Sequence, residues 1–139
     1  MTLASIAGTS WAGQGELWLD PLNNVVELCD VTIDVTADEL RYAWSYQGAP
    51  HQGRVTVTAD GATFTDTWHA PDGFTCVPIP DAWGLLGVRC TFAAGDGPPW
   101  GWEITVALRP GGDELVLQMT NVAPWGEHGR AVRMIVRRR

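Results

Sequence analysis

Three ionisable side chains carry most of the chemical potential of this sequence, because the alternation of residues around them turns them toward apolar neighbours. Asp66 falls in step with Phe64 and Trp68, Tyr42 with Leu40 and Trp44, and Glu27 with Val25 and Cys29. A carboxyl group drawn into apolar surroundings has its pKa raised by desolvation, which is how a general acid or base is tuned toward neutral pH. Asp66, Tyr42 and Glu27 are therefore the candidate catalytic residues. Asp66 is expected to face the interior with a raised pKa, beside Tyr42 or Tyr46 and Trp102 or Asn121. The same alternation gathers Trp44, Tyr46, His51, Trp68, Trp102, Met119 and Asn121, an apolar wall with a few polar groups of the kind that lines small-molecule sites. The competing expectation is structural: each buried carboxylate is satisfied by a Tyr hydroxyl, a Trp N–H or an arginine and orders the core.

Other chemistries are thinner. All nine basic residues are arginine, which excludes Schiff-base chemistry, pyridoxal phosphate attachment and the P-loop lysine. Ser5, Ser10 and Ser45 stand outside any Gly-x-Ser-x-Gly motif. Cys29, Cys76 and Cys90 show no Cys-x-x-Cys spacing, and Cys29 and Cys90 fall on apolar faces that keep thiols inert. His51, His69 and His128 form no His-x-x-x-His pair, so no metal site is expected.

These side chains must be positioned by strands. Apolar and polar residues alternate almost from end to end, with turn signals between the runs. The pattern predicts strands over 10–20, 25–36, 39–47, 51–59, 62–70, 87–93, 100–109, 114–122 and 130–138. Asp20-Pro21-Leu22-Asn23-Asn24 closes the first, and Asp60-Gly61 supplies a hairpin turn. In the fifth run Asp66 and Trp68 read inward and His69 outward. Residues 71–86, interrupted by Pro71, Pro78 and Pro80, read as a lid or plug over one end, with Trp83 and Leu85 as its apolar underside. Eight to ten sequential antiparallel strands with one apolar face predict an all-β single domain over 1–139. The expected architecture is a closed up-and-down β-barrel, with a two-sheet sandwich as the rival, since only closure leaves no exposed sheet edge. A barrel of that size can hold one small ligand.

Several motifs resemble those of calycin barrels. Gly8-Thr9-Ser10-Trp11 is similar to the Gly-x-Trp start of lipocalins, fatty-acid-binding proteins and nitrobindins, with one residue more between Gly and Trp. Asp66-Thr67-Trp68-His69, Gly101-Trp102-Glu103, Asn121-Val122-Ala123-Pro124-Trp125-Gly126-Glu127 and Ala131-Val132 resemble a bacterial calycin-like family of unknown function, from which Glu103 and Trp125 depart. The resemblance implies a calycin-like barrel and assigns no activity. It also suggests haem as an alternative cofactor, because nitrobindins hold haem through a late histidine. His128 lies in a turn expected to face solvent, so no cofactor is expected. An arginine of the last strand is expected to cover the Trp11 indole, as calycins often arrange.

The function expected from these residues is binding of a small hydrophobic or aromatic molecule in the lumen. The alternative is a cofactor-free cyclase or isomerase of a biosynthetic pathway, with a lumen carboxylate or tyrosine as acid or base. A net charge of −7 argues against nucleic acid, and the sequence has no apolar run long enough to span a bilayer. The N-terminus lacks a signal-peptide pattern, so a cytoplasmic monomer or homodimer is expected.

Overall fold

A computed structural model describes residues 2–20 and 25–139. Ten strands follow one another: β1 (Ser10–Trp18), β2 (Val26–Val35), β3 (Glu39–Tyr46), β4 (Ala49–Thr58), β5 (Gly61–Asp66), β6 (Ala70–Pro78), β7 (Leu86–Phe92), β8 (Trp100–Leu108), β9 (Glu114–Val122) and β10 (His128–Arg138). Each pairs antiparallel with its sequence neighbour, and β10 returns to β1, so the sheet closes into an up-and-down barrel. The closing ladder runs from Trp11 opposite Arg138 to Leu17 opposite Val132. Closure turns one residue in two inward, and the inward set Val31, Ile33, Leu40, Val55, Phe64, Ile104, Leu117 and Val136 is buried. The predicted turn residues 21–24 lie outside the described residues.

The two ends differ. At one end a short 3-10 helix, Leu3–Ile6, drops Leu3 and Ile6 into the barrel beside fully buried Trp11. The Arg138 guanidinium carbon stands 4.9 Å from the centre of the Trp11 ring, meeting the expectation for the last strand. The segment 71–86 is not the lid that its prolines suggested. Residues Ala70–Pro78 are strand β6, its alternation obscured by a bulge where Phe64 pairs with Phe74 but Asp66 pairs with Ala70. The remaining connection lies at the plugged end, where Leu85 is buried but Trp83 is 82% exposed.

The other end carries the hairpin turns that matter for the site. Gln47 and Gly48 both adopt positive φ, 49° and 78°, between paired Tyr46 and Ala49, the two-residue turn whose twist matches that of its strands. Between β5 and β6 the turn is Thr67, Trp68 and His69, flanked by the Asp66–Ala70 pair. A three-residue turn breaks the alternation, so His69 turns inward against expectation while Trp68 stays on the rim of the cavity. Trp68 is 43% exposed at the rim, whereas the His69 side chain folds inward to 12% exposure.

Candidate functional site

The site grows from Asp66, the last residue of β5 and the buried polar residue of the core, 2% exposed. Its Oδ1 accepts the backbone N–H of Trp68 at 2.7 Å and of His69 at 2.8 Å, tying the turn together in the manner of an Asx turn. Its Oδ2 accepts the Tyr42 hydroxyl. Tyr42 reaches it from β3 across the whole width of β4, and Gly53 makes this possible. Gly53 pairs with Tyr42 on one side and Asp66 on the other. A Cβ at position 53 would stand 2.0 Å from the Tyr42 ring carbon Cζ and 2.1 Å from its hydroxyl. The phenol therefore lies over the glycine, in the space that any other residue would fill.

Asp66 faces inward beside Tyr42 as expected, but its ionisation runs against expectation. Burial alone raises the carboxyl pKa. The adjacent His69 ring, the Tyr42 hydroxyl and the His69 backbone N–H outweigh it and hold the pKa below its ordinary value. Burial and the Asp66 charge meanwhile push the Tyr42 hydroxyl well above its usual range. At neutral pH the pair is a carboxylate held by a phenol.

His69 is the residue that strand alternation missed. Its Nδ1 stands 3.4 Å from Asp66 Oδ1, an ion-pair distance without hydrogen-bond geometry. Its ring centre lies 5.9 Å from that of Trp44 and 5.2 Å from that of Trp102. The signal available in the sequence was Asp66 itself, since an Asp side chain caps backbone N–H groups two and three residues on and so favours a turn over a continuing strand.

Around this pair the open end is aromatic. Trp44 stacks on His51 at 4.6 Å, and Trp68 meets Tyr46 edge-on at 4.9 Å. His51 Nδ1 is 2.8 Å from the Thr67 hydroxyl, which fixes the turn to β4. Trp102 stacks on Phe64, while Phe74 and Phe92 stack on each other at 5.6 Å. A cavity of about 210 Å³ opens here. Trp18 of β1, Trp68 and His69 of the turn, Phe74, Phe92, Trp102 and Asn121 surround it. A further void of about 10 Å³ touches Tyr42, Trp44, Asp66 and His69, close to the minimum for one water molecule. Larger concavities lie on the outer wall, lined mainly by outward alternates such as Arg41, Gln52 and Arg54, and are not enclosed by the barrel.

Three buried side-chain nitrogens in this region have no hydrogen-bond partner: Trp44 Nε1, Trp102 Nε1 and His69 Nδ1. Trp44 and Trp102 are only 6% and 4% exposed.

Not every predicted residue joins the site. Glu27 keeps the inward register of Cys29 but lies near the free start of β2, where the strand pairs with β1 alone, and it is exposed rather than a lumen carboxylate. Met119 is packed in the core between Ile104 and Val132, away from the cavity. His128 sits on the outer wall, its Nδ1 3.7 Å from Glu103 Oε1, and cannot reach the lumen. Among the described residues no group of three or more His, Cys, Asp or Glu side chains is placed to hold a metal ion. No described helix is long and apolar enough to cross a membrane.

The fold and site together define a closed ten-stranded antiparallel barrel, consistent with a calycin-like fold, plugged at one end and aromatic at the other. Comparisons with protein-family models, with curated proteins and with solved structures give no match for this chain.

Proposed function

We propose that the open end of the barrel binds a small, largely aromatic molecule carrying a hydrogen-bond-accepting oxygen. The observation that carries this reading is Trp102, whose buried indole N–H lacks a partner beside a cavity walled by aromatic rings. An unpaired buried donor costs about 1–3 kcal/mol, and an indole N–H can only donate, so the complementary ligand presents an acceptor. At about 210 Å³ the cavity falls below the roughly 300–1,000 Å³ of drug-sized pockets, which favours a ligand of fragment size. The test is a titration with small aromatic ketones and acids, followed by the indole N–H resonances. Binding should shift the Trp102 signal, and Trp102→Phe should weaken it at least tenfold with little change in Tm. Failure of every compound to perturb residues at the mouth, or unchanged affinity in Trp102→Phe, removes the proposal.

A second reading, a cofactor-free isomerase or cyclase, is favoured by the Asp66–His69 pair. Asp66, ionised and with its oxygens already engaged by Tyr42 and the turn, suits holding the histidine better than moving protons itself. In this reading His69 takes a proton from a carbon beside the ligand's carbonyl and returns it to another atom. The Trp102 N–H stabilises the oxyanion that develops, and Asp66 stabilises the transient imidazolium. Exchange of those carbon-bound protons for solvent deuterium in a bound ketone, lowered about 100-fold or more in His69→Gln with binding retained, supports it. Binding without exchange leaves a binding protein.

A further inference from the structure

Two of the three cysteines stand outside the site and face each other. Val77 of β6 pairs with Arg89 of β7 and Pro78 with Val88, so the same register carried one residue further sets Cys76 opposite Cys90. Both point inward, Cys76 paired to buried Ala62 and Cys90 to buried Trp102. The stacked rings of Phe74 and Phe92, two residues further along the same register, keep the two strands side by side past these thiols. Opposed residues of an antiparallel ladder have Cα atoms about 4.5–5.5 Å apart, inside the range of about 4.4–6.8 Å that disulfides span. The third thiol, Cys29, is on β2 and donates to the Gly15 carbonyl.

The seam that these thiols flank is short. β6 and β7 share two ladder rungs, where β8 and β9 share eight. The next inward residues toward the open end are Phe74 and Phe92, the stacked pair that walls the cavity.

We propose that Cys76 and Cys90 form a redox-reactive pair, which a peroxide converts into a cross-strand disulfide stapling β6 to β7. The neighbouring Cys90 thiol lowers the Cys76 pKa, while Cys76 and burial raise that of Cys90, so Cys76 is the thiol that ionises first. Opening of the two-rung seam admits the oxidant to buried Cys76. The Cys76 thiolate attacks one peroxide oxygen, the O–O bond breaks, and hydroxide leaves and is protonated, giving a sulfenic acid. The Cys90 sulfur then attacks that sulfur and water departs. In balance, two thiols and one hydrogen peroxide give one disulfide and two waters.

The experiment treats the full chain, and a Cys29→Ser variant, with hydrogen peroxide under native conditions, followed by unfolding, alkylation of free thiols and peptide mapping. The expected result in both is an intact mass lower by two hydrogens and a linked pair of peptides holding Cys76 and Cys90. Cys29 of the wild type stays alkylatable, and a thiol reductant reverses the change. The oxidised protein should melt roughly 10 °C higher, because the link restrains the unfolded chain without distorting the ladder. Three outcomes overturn the proposal: all thiols remain free, a link or a sulfinic acid forms elsewhere, or the linked protein melts lower than the reduced one. Cys90→Ser keeps the size of the side chain and should stop at oxidation of Cys76 without a link; a link formed in that variant also overturns it.

Discussion

Asp66 shows how a single buried carboxylate can order a site. It is satisfied by a phenol on one oxygen and by two backbone N–H groups on the other, and such charge-assisted bonds are worth about 1.5–3 kcal/mol each when broken singly. Tyr42→Phe should therefore destabilise the protein by about 2 kcal/mol, measured by urea unfolding. The pH dependence follows from the two shifts. Because the Asp66 pKa is lowered on folding, its stabilisation is complete above the unfolded carboxyl value of about 3.9 and is lost as pH falls through the lower folded value. The Tyr42 pKa is raised, so its stabilisation is complete below the unfolded phenol value of about 10 and is lost as pH rises further. Tyr42→Phe should move the acid limb of unfolding to higher pH and remove the alkaline contribution. An unchanged acid limb would show that the hydroxyl does not hold the carboxylate. Gly53→Ala places a methyl group inside the Tyr42 ring and should cost about 3 kcal/mol, since overpacking at this point leaves no free rotamer. In Gly53→Ala/Tyr42→Ala the clash is gone, and the added cost of the alanine at position 53 should largely vanish.

Among the elements, the strands do not contribute equally. The ladder between β6 and β7 has two rungs, and the bulge between Phe64 and Asp66 loosens β6 on its other side. Backbone amides of β6 should therefore exchange with deuterium faster than those of β8 and β9, whose ladder is unbroken from Gly101–Val122 to Leu108–Leu115. Equal protection across these strands would mean that the short seam is not a weak one. The turn Thr67-Trp68-His69 is where element and site meet, because its three-residue length brings both Trp68 and His69 to the cavity. Lengthening this turn by one glycine should leave the barrel folded and abolish whatever the mouth binds, as His69 would no longer be held against Asp66.

For the whole molecule, the barrel is built asymmetrically. One end is sealed by Leu3, Ile6, Trp11 and Leu85, with Arg138 over the Trp11 ring. The other concentrates aromatic rings around a cavity and leaves buried N–H donors unpaired. Stability and binding should therefore separate by end. Leu3→Ala and Ile6→Ala remove fully buried side chains and should each cost about 2–4 kcal/mol in unfolding free energy. Ligand binding at the open end, measured under conditions where both variants stay folded, should be unchanged. Loss of binding in parallel with loss of stability would mean that the plug and the mouth are one cooperative unit.

The barrel was legible in the sequence because strand alternation has a period of two, and that period marks nine of the ten strands with only their ends misplaced by a few residues. The inward placement of Asp66, Tyr42, Trp44 and Trp102 followed from the same period, and so did an arginine over Trp11. What alternation could not carry was anything set by a turn or by a neighbouring strand. The bulge hid β6 inside a proline-rich stretch, and the three-residue turn brought His69 inward beside Trp68. Glu27 kept its register but lost its burial, because an inward residue is enclosed only where strands on both sides pair with it. The direction of the Asp66 pKa was likewise beyond the sequence. Burial can be guessed from apolar neighbours along one strand, whereas the donors that reverse its effect come from the turn and from Tyr42, which reaches Asp66 over Gly53 of the intervening strand. Those contacts exist only once β3, β4 and β5 have paired side by side.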